Sequence, residues 1–216
     1  MSKYCNHKLI LITTIIFYMP KVIPEYRDEA RKKIIASGYE VMSLKGYCNT
    51  TLDDIANHVG VSKTTLYLYF SNKEDLIIEI IRSVHTEVHE TAEELFSTKP
   101  MLEAYEHLLE LFIGRDLERI GFTYDVLALS SRNPVIRKIH QEHTQHIMEH
   151  ATRGIICLQQ RGFARTDVDP RTIAMLLISL ISGLTSLILK GVDKEEVKGQ
   201  FHEMGGIILG ITSEEQ

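Results

Sequence analysis

The chain has 216 residues, 44% hydrophobic and 25% charged, with 24 Lys and Arg against 29 Asp and Glu for a formal net charge of -5. That composition excludes a disordered, collagen-like or low-complexity chain. The acidic balance also excludes a polybasic nucleic-acid coat, so any contact with nucleic acid has to be local and geometrically organised. Cys5, Cys48 and Cys157 stand at wide spacings with no C-x-x-C pair; they build no disulfide framework and fit a reducing compartment, so a cytoplasmic location is expected.

In chain order, the first feature is the apolar run LILITTIIFYM from Leu9 to Met19, with Lys3 and Lys8 before it and Lys21 after it. It is too short to span a bilayer as a helix, which takes about 17–25 residues, and no small-residue cleavage site follows. Residues 1–18 are therefore expected to be an upstream extension with Met19 as the working start, and residues 1–20 to lie outside the folded core. A segment that packs or stays loose, and a signal or membrane-associated segment, are the alternatives.

From Glu25 the helical period takes over. Ala30, Ile34, Ile35, Tyr39, Val41 and Met42 form one apolar stripe, and Gly46 supplies a stop. Two short segments follow, Leu52 to Val59 and Lys63 to Phe70, separated by Gly60-Val61-Ser62. Ser71 or Asn72 can cap a longer helix from Lys73 to about Phe96. Pro100 and Pro134 mark further breaks, and Pro134 suits the first turn of a helix that ends at Arg161-Gly162-Phe163. Asp169-Pro170 opens a segment carrying the apolar run Ile173 to Leu189, Gly191 closes it, and Lys194 to Leu209 supplies a last helix. No alternating strand pattern of useful length occurs, so an all-α protein of about nine helices is expected.

The two short helices carry the clearest signal. Ile55, Val59, Val61 and Leu66 are apolar where such helices pack, and Ala56 is small where their backbones approach. Gly60 sits where the chain needs a positive φ, which glycine adopts without steric cost. Thr50 or Thr51 can cap the first helix, with Asp53 and Asp54 favourable in its opening turn, and Ser62 can cap the second. This is the pattern of a helix-turn-helix, whose second helix enters the DNA major groove. At about 100° per residue, Leu66 and Phe70 turn inward, while Thr64, Thr65, Tyr67 and Leu68 turn broadly outward with Lys63 at the exposed end. Lys and Thr can donate to base edges or phosphates, the Tyr hydroxyl can reach a phosphate, and Leu68 or the Tyr67 ring can meet a thymine methyl.

The run from Arg31 to Leu76 resembles the TetR family of transcriptional regulators. The matching residues are Ile34, Ile35, Gly46-Tyr47, Thr50-Thr51, Asp54-Ile55-Ala56, Gly60-Val61-Ser62, Thr65-Leu66-Tyr67, Tyr69-Phe70 and Lys73-Glu74-Asp75-Leu76. The resemblance implies an all-α fold with an N-terminal three-helix helix-turn-helix domain over residues 21–72. A larger C-terminal helical ligand-binding and dimerisation domain would cover 73–211. It also implies a homodimer on a double-stranded DNA operator and a small-molecule effector, with no cofactor. By position, Lys63, Thr64 and Tyr67 would face bases or nearby phosphates, and Thr51, Thr65, Tyr69 and Lys73 would anchor the DNA backbone. Residues 21–70 hold seven Lys and Arg against six Asp and Glu, so non-specific affinity should be modest.

Beyond Lys73 there is no G-x-S-x-G, no Gly-rich phosphate loop and no H-E-x-x-H, which argues against an enzyme with a vestigial helix-turn-helix. His140, His143, His146 and His150 lie within an arc of about 120° on one helix, and Cys157 continues the stripe. Three readings stay open: surface or partly satisfied core, polar groups of a ligand pocket (His143, His146 and His150), or metal ligands making a metal-responsive regulator. His85 and His89 form a second pair at i and i+4, expected to be exposed. Tyr105, Phe112, Phe122, Tyr124, Met148 and Met175 can line an apolar cavity, though such residues are more often core. The Ile173–Leu189 run, interspersed with Ser, Thr and Gly, is expected to be buried between subunits rather than in a membrane, with Leu184 on that shared face.

Overall fold

The computed structural model describes residues 24–210, including all side chains there except those of residues 24–26, 96, 101, 102, 105 and 108. The expected extension over residues 1–20, and Tyr105 as a cavity candidate, therefore lie outside the described residues. Among the described residues there are nine helices and no strand. They are α1 (Pro24–Lys45), α2 (Leu52–Val59), α3 (Lys63–Tyr67), α4 (Lys73–Thr98), α5 (Met101–Ile113), α6 (Leu117–Ser130), α7 (Pro134–Gln160), α8 (Pro170–Leu189) and α9 (Lys194–Leu209).

Local chemistry sets the boundaries. Thr51 caps α2 in a reciprocal box: its hydroxyl accepts from the Asp54 amide at 3.1 Å, and the Asp54 carboxylate accepts from the Thr51 amide at 2.8 Å. Ser62 and Asn72 cap α3 and α4 by accepting from the amides of Thr65 and Asp75. Pro134 and Pro170 open α7 and α8 behind Asn133 and Asp169 caps. Gly60 has φ 79° and ψ 30°, the left-handed conformation the turn needs, and its amide and that of Val61 both donate to the Ala56 carbonyl. One boundary differs from expectation. The helix starting at Lys63 ends at Tyr67 rather than Phe70, because the Leu68 and Tyr69 amides bond three residues back, to Thr65 and Leu66, and tighten the chain into turns.

The helices pack around three apolar clusters. The first joins Ile34, Val41 and Met42 of α1, Ile55 of α2, Leu66 of α3 and Leu76, Ile77, Ile80 and Ile81 of α4 to Phe122 and Val126 of α6 and Ile136 of α7. This core runs across residue 72 without a break. Polar ties reinforce the seam: the Tyr47 amide donates to Asp125 at 3.2 Å, Asn133 bonds Glu74, and the Tyr39 and Phe122 rings meet edge to face at 5.1 Å. The second cluster gathers Leu109 and Ile113 of α5, Ile120 of α6, Leu184 and Ile188 of α8 and Val197 of α9. The third holds Met148, Ile155 and Leu158 of α7 against Ile173 and Ala174 of α8.

Pro170–Leu189 is by length and composition apolar enough to cross a membrane. Within the fold, however, Ile173, Ala174, Leu184 and Ile188 are buried against neighbouring helices, and its Ser182, Thr185 and Ser186 hydroxyls donate to carbonyls of their own helix. Leu184 corrects one expectation. It is only 6% exposed and packs against α5 and α9 of its own chain, whereas Met175 and Leu176 of α8 and Met204 and Ile207 of α9 form the exposed apolar positions. Because α8 is apolar nearly all round, sequence could not say which side turns inward.

Leu184→Ala should therefore lower the unfolding free energy by about 2–5 kcal/mol through the cavity it leaves. Urea denaturation at two protein concentrations should give the same loss at both, since the contacts lie within one chain.

Candidate nucleic-acid interface and the cavity behind it

The outward face of α3 is built as a short, capped, five-residue helix lying across α2. Leu66 is fully buried and anchors it. Lys63, Thr64, Tyr67 and Leu68 are exposed, while Thr65 and Tyr69 are half-buried. Leu68 is 70% exposed, which leaves its side chain open to apolar contact. The Thr65 hydroxyl is paired with Ser62 at 2.8 Å and that of Thr51 donates to Asp54 at 2.7 Å. Both hydroxyls serve the caps, which leaves their turns, rather than free hydroxyl groups, as the rigid element presented outward.

Both lysines expected at the interface, Lys63 and Lys73, are engaged within the chain. Lys63 donates to Asp53 at 2.8 Å across the α2–α3 pair, and that carboxylate raises the ammonium above its ordinary pKa. With both partners more than half exposed, this is a solvent-screened counter-ion that a phosphate can replace. Lys73 is held more firmly. Its ammonium donates to the Tyr47 carbonyl at 2.6 Å and the Thr50 carbonyl at 2.8 Å and lies 4.4 Å from the Tyr47 ring centroid. Placed in sequence as a DNA-backbone anchor, Lys73 is in this fold a clamp between α4 and the α1–α2 turn. Lys45 and Thr51 similarly hold the Asp54 carboxyl well below the usual range.

Behind the first turns of α4 lies a cavity of about 690 Å³ between α4, α5, α7, α8 and α9, within the size range of pockets for drug-like molecules. Its walls are mostly apolar, with Leu109 and Phe112 of α5, Ile147 and Ile155 of α7, Ile178 of α8 and Phe201 of α9. Of the sequence candidates, His143, His146 and His150 all line it, as does Phe112. Phe122 and Met148 are instead core, Tyr124 packs on the second cluster with its hydroxyl donating to the Ser182 carbonyl, and Met175 is exposed.

His85 is the residue sequence reading placed wrongly. Far from being exposed, its ring stacks on His143 with centroids 3.6 Å apart and planes 3° from parallel, and His140 meets it edge-on at 5.1 Å. Burial first, then the neighbouring imidazoles, push His85 down to about 3 and His143 down to about 4, from 6.5. Parallel rings at this spacing keep their nitrogen lone pairs parallel rather than convergent, so this pair does not chelate one ion. Among the described residues no three His, Cys, Asp or Glu side chains are placed to hold a metal. His202 and Phe201 of α9 were also missed in sequence; only the cavity that α9 helps to close reveals them.

An ionic link leads from the cavity wall to α1. Arg82 of α4, at the cavity, bonds Glu79 at 2.7 Å, and Glu79 bonds Arg31 of α1 at 2.9 Å. Burial alone would raise the Glu79 carboxyl, but Arg82 and Arg31 together hold it below its usual value. The Arg31 guanidinium in turn lies 5.0 Å from the Phe70 ring, just beyond the outward-facing helix.

The helix-turn-helix geometry and the comparisons with known proteins converge. Residues 34–80 match the model of the tetR family of bacterial regulatory proteins. The HTH-type transcriptional regulator YdgC of Bacillus subtilis is 25% identical over 175 residues, 76% of this chain and 84% of that protein. Residues 34–80 are a TetR-type DNA-binding domain, and the chain is a DNA-binding transcriptional regulator of that type. CymR of Pseudomonas putida, also an HTH-type regulator, is 25% identical over 77% of this chain and 83% of its own length. The biofilm operon negative regulator IcaR of Staphylococcus epidermidis is 44% identical over a stretch of 46 residues, 21% of this chain and 25% of IcaR. In fold, a transcriptional regulator from Saccharomonospora viridis, solved in complex with choline, aligns over 82% of this chain and 95% of its own at a TM-score of 0.75 and 24% identity.

Two outcomes follow for the TetR-type site. Lys73→Met should cost about 1–3 kcal/mol of stability by leaving the Tyr47 and Thr50 carbonyls without their donor, read as a lowered urea midpoint. For the imidazoles, folding holds the pKa values of His85 and His143 below 6.5, so the unfolded chain binds protons first. Their contribution to stability is complete above about pH 6.5 and is lost as pH falls toward the folded values. Thermal midpoints should therefore drop between about pH 7 and pH 5, and less steeply in His143→Phe.

Proposed function

We propose that this TetR-family regulator is a cytoplasmic homodimeric repressor that binds a palindromic operator and leaves it when a small molecule occupies the cavity. The observation that carries the reading is the pairing of one outward-facing helix with an apolar cavity through a single helix, α4. Lys63, Thr64, Tyr67 and Leu68 read base edges and nearby phosphates, with Lys63 exchanging Asp53 for DNA. The Thr51 turn, Thr65 and Tyr69 set the register on the backbone, while Lys73 fixes the turn that carries Thr51. Residues 21–72 form the DNA-reading unit and 73–211 the ligand-binding and dimerisation unit.

The exposed apolar positions Met175, Leu176, Met204 and Ile207 on α8 and α9 support association of two copies through these helices, as a four-helix bundle on a two-fold axis. The same pairing covers the apolar surface of α8 without a membrane. Two-fold symmetry sets the recognition helices about one DNA turn, roughly 34–36 Å, apart or a multiple of it. A ligand acts only by binding the released and bound arrangements unequally. Tilting of α4 is the differential movement proposed here, passed on through Arg82, Glu79 and Arg31. The reading involves no catalysis, and the histidines act as cavity walls rather than as a metal sensor.

Selection of genomic DNA fragments by the purified dimer, sized by light scattering, should return a palindromic site. Lys63→Ala with Tyr67→Ala should weaken binding to it by at least about tenfold with the thermal midpoint unchanged. A folded double variant with unaltered operator affinity would remove α3 from the interface.

A further inference from the structure

The chemistry of the cavity narrows the class of molecule it admits; this inference rests on the cavity being the effector site. Fourteen carbon-rich or aromatic side chains aside, the polar groups that line it are imidazoles, Thr86 and a few ionic side chains. Among the described residues no lysine lines it, and the arginine that does, Arg82, is bonded to Glu79 at 2.7 Å. Glu93 lies 3.3 Å from the His89 ring on its own helix, Glu142 lies 3.9 Å from Lys138, and both carboxylates are more than 60% exposed, at the rim rather than in the interior. Glu106 is likewise exposed. An anionic ligand therefore meets, among the described lining residues, one guanidinium already shared with Glu79 and no lysine. A cationic one finds carboxylates only where water screens them.

What the interior does offer is the His85–His143 stack, two nearly parallel rings 3.6 Å apart bridging α4 and α7. We propose that the effector is an uncharged, mostly apolar molecule with an aromatic or other planar head. Its single polar end, a hydroxyl or carbonyl, exchanges a hydrogen bond with the edge of the His143 ring. A neutral imidazole carries one donor and one acceptor in its ring plane, so His143 satisfies a hydroxyl or a carbonyl without either partner being charged. Burial keeps both rings in that neutral form, as their lowered pKa values show. The aromatic rings of Phe112 and Phe201, also in the wall, suit the planar head. Because the His143 ring of α7 stacks on His85 of α4, a ligand bonded to its edge acts on the contact between these two helices, whose first turns carry the DNA-reading core.

The test uses three probes with one body and different heads: para-octylphenol, para-octylbenzoate and para-octyl-N,N,N-trimethylanilinium, each titrated calorimetrically into the full-length protein. The phenol should bind at least about tenfold more tightly than either ion, and His143→Phe, which keeps a planar apolar ring, should remove that preference while retaining the fold by circular dichroism. Failure of the phenol to bind, equal or tighter binding of the benzoate or the anilinium, or an unchanged preference in His143→Phe would overturn the proposal. Operator release is followed in the same titrations. Tight phenol binding that leaves the operator bound counts for the ligand class and against the regulatory reading, whereas release by the benzoate alone counts against the ligand class and for that reading.

Discussion

The structure hangs on α4 being one continuous helix with two different environments. Its first turns bury Leu76, Ile77, Ile80 and Ile81 completely or nearly so in the core shared with α1, α2 and α3. Its next turns carry Arg82, His85 and His89 along the wall of the cavity. Burial of four large aliphatic side chains contributes on the order of 6–12 kcal/mol by area, so the first half cannot detach from the small helices at modest cost. The two environments are joined by unbroken helix, so the cavity wall and the small-helix core share one backbone element.

Around this helix the polar contacts divide by strength. Lys73, with its ammonium on two main-chain carbonyls and against an aromatic face, locks the α1–α2 turn to the start of α4. Asp125 and Asn133 tie the same region to α6 and α7. By contrast, the Lys63–Asp53 pair is solvent-screened and exchangeable. A rigid frame with a single loosely held cation at its tip suits a near-neutral domain whose affinity for DNA must come from fitted geometry rather than bulk charge.

The cavity shows the complementary economy. An interior rich in imidazole is costly unless the rings stay neutral, and desolvation together with mutual repulsion enforces that state. Neutral rings stacked across two helices join α4 to α7 without a charge.

Much of the fold was legible in the residues because it is decided locally. Caps at Thr51, Ser62 and Asn72 and prolines at 134 and 170 act within a few residues of themselves. So does the left-handed Gly60, and the outward set on α3 follows from the helical period once Leu66 is inside. Tertiary structure alone decided the rest. The apolar period of α8 does not single out one face, so the inward side of Leu184 and the outward side of Met175 depend on how the neighbouring helices approach. The fate of Lys73 depends on a turn 23 or more residues away. His85 and His143 are 58 residues apart, and no spacing rule within either helix foretells that the two rings will lie 3.6 Å from one another. Sequence determined which helices form and where they stop, because hydrogen bonds and dihedral preferences are local. The rotation of each long helix about its own axis, which decides what a side chain meets, was set by packing among all of them.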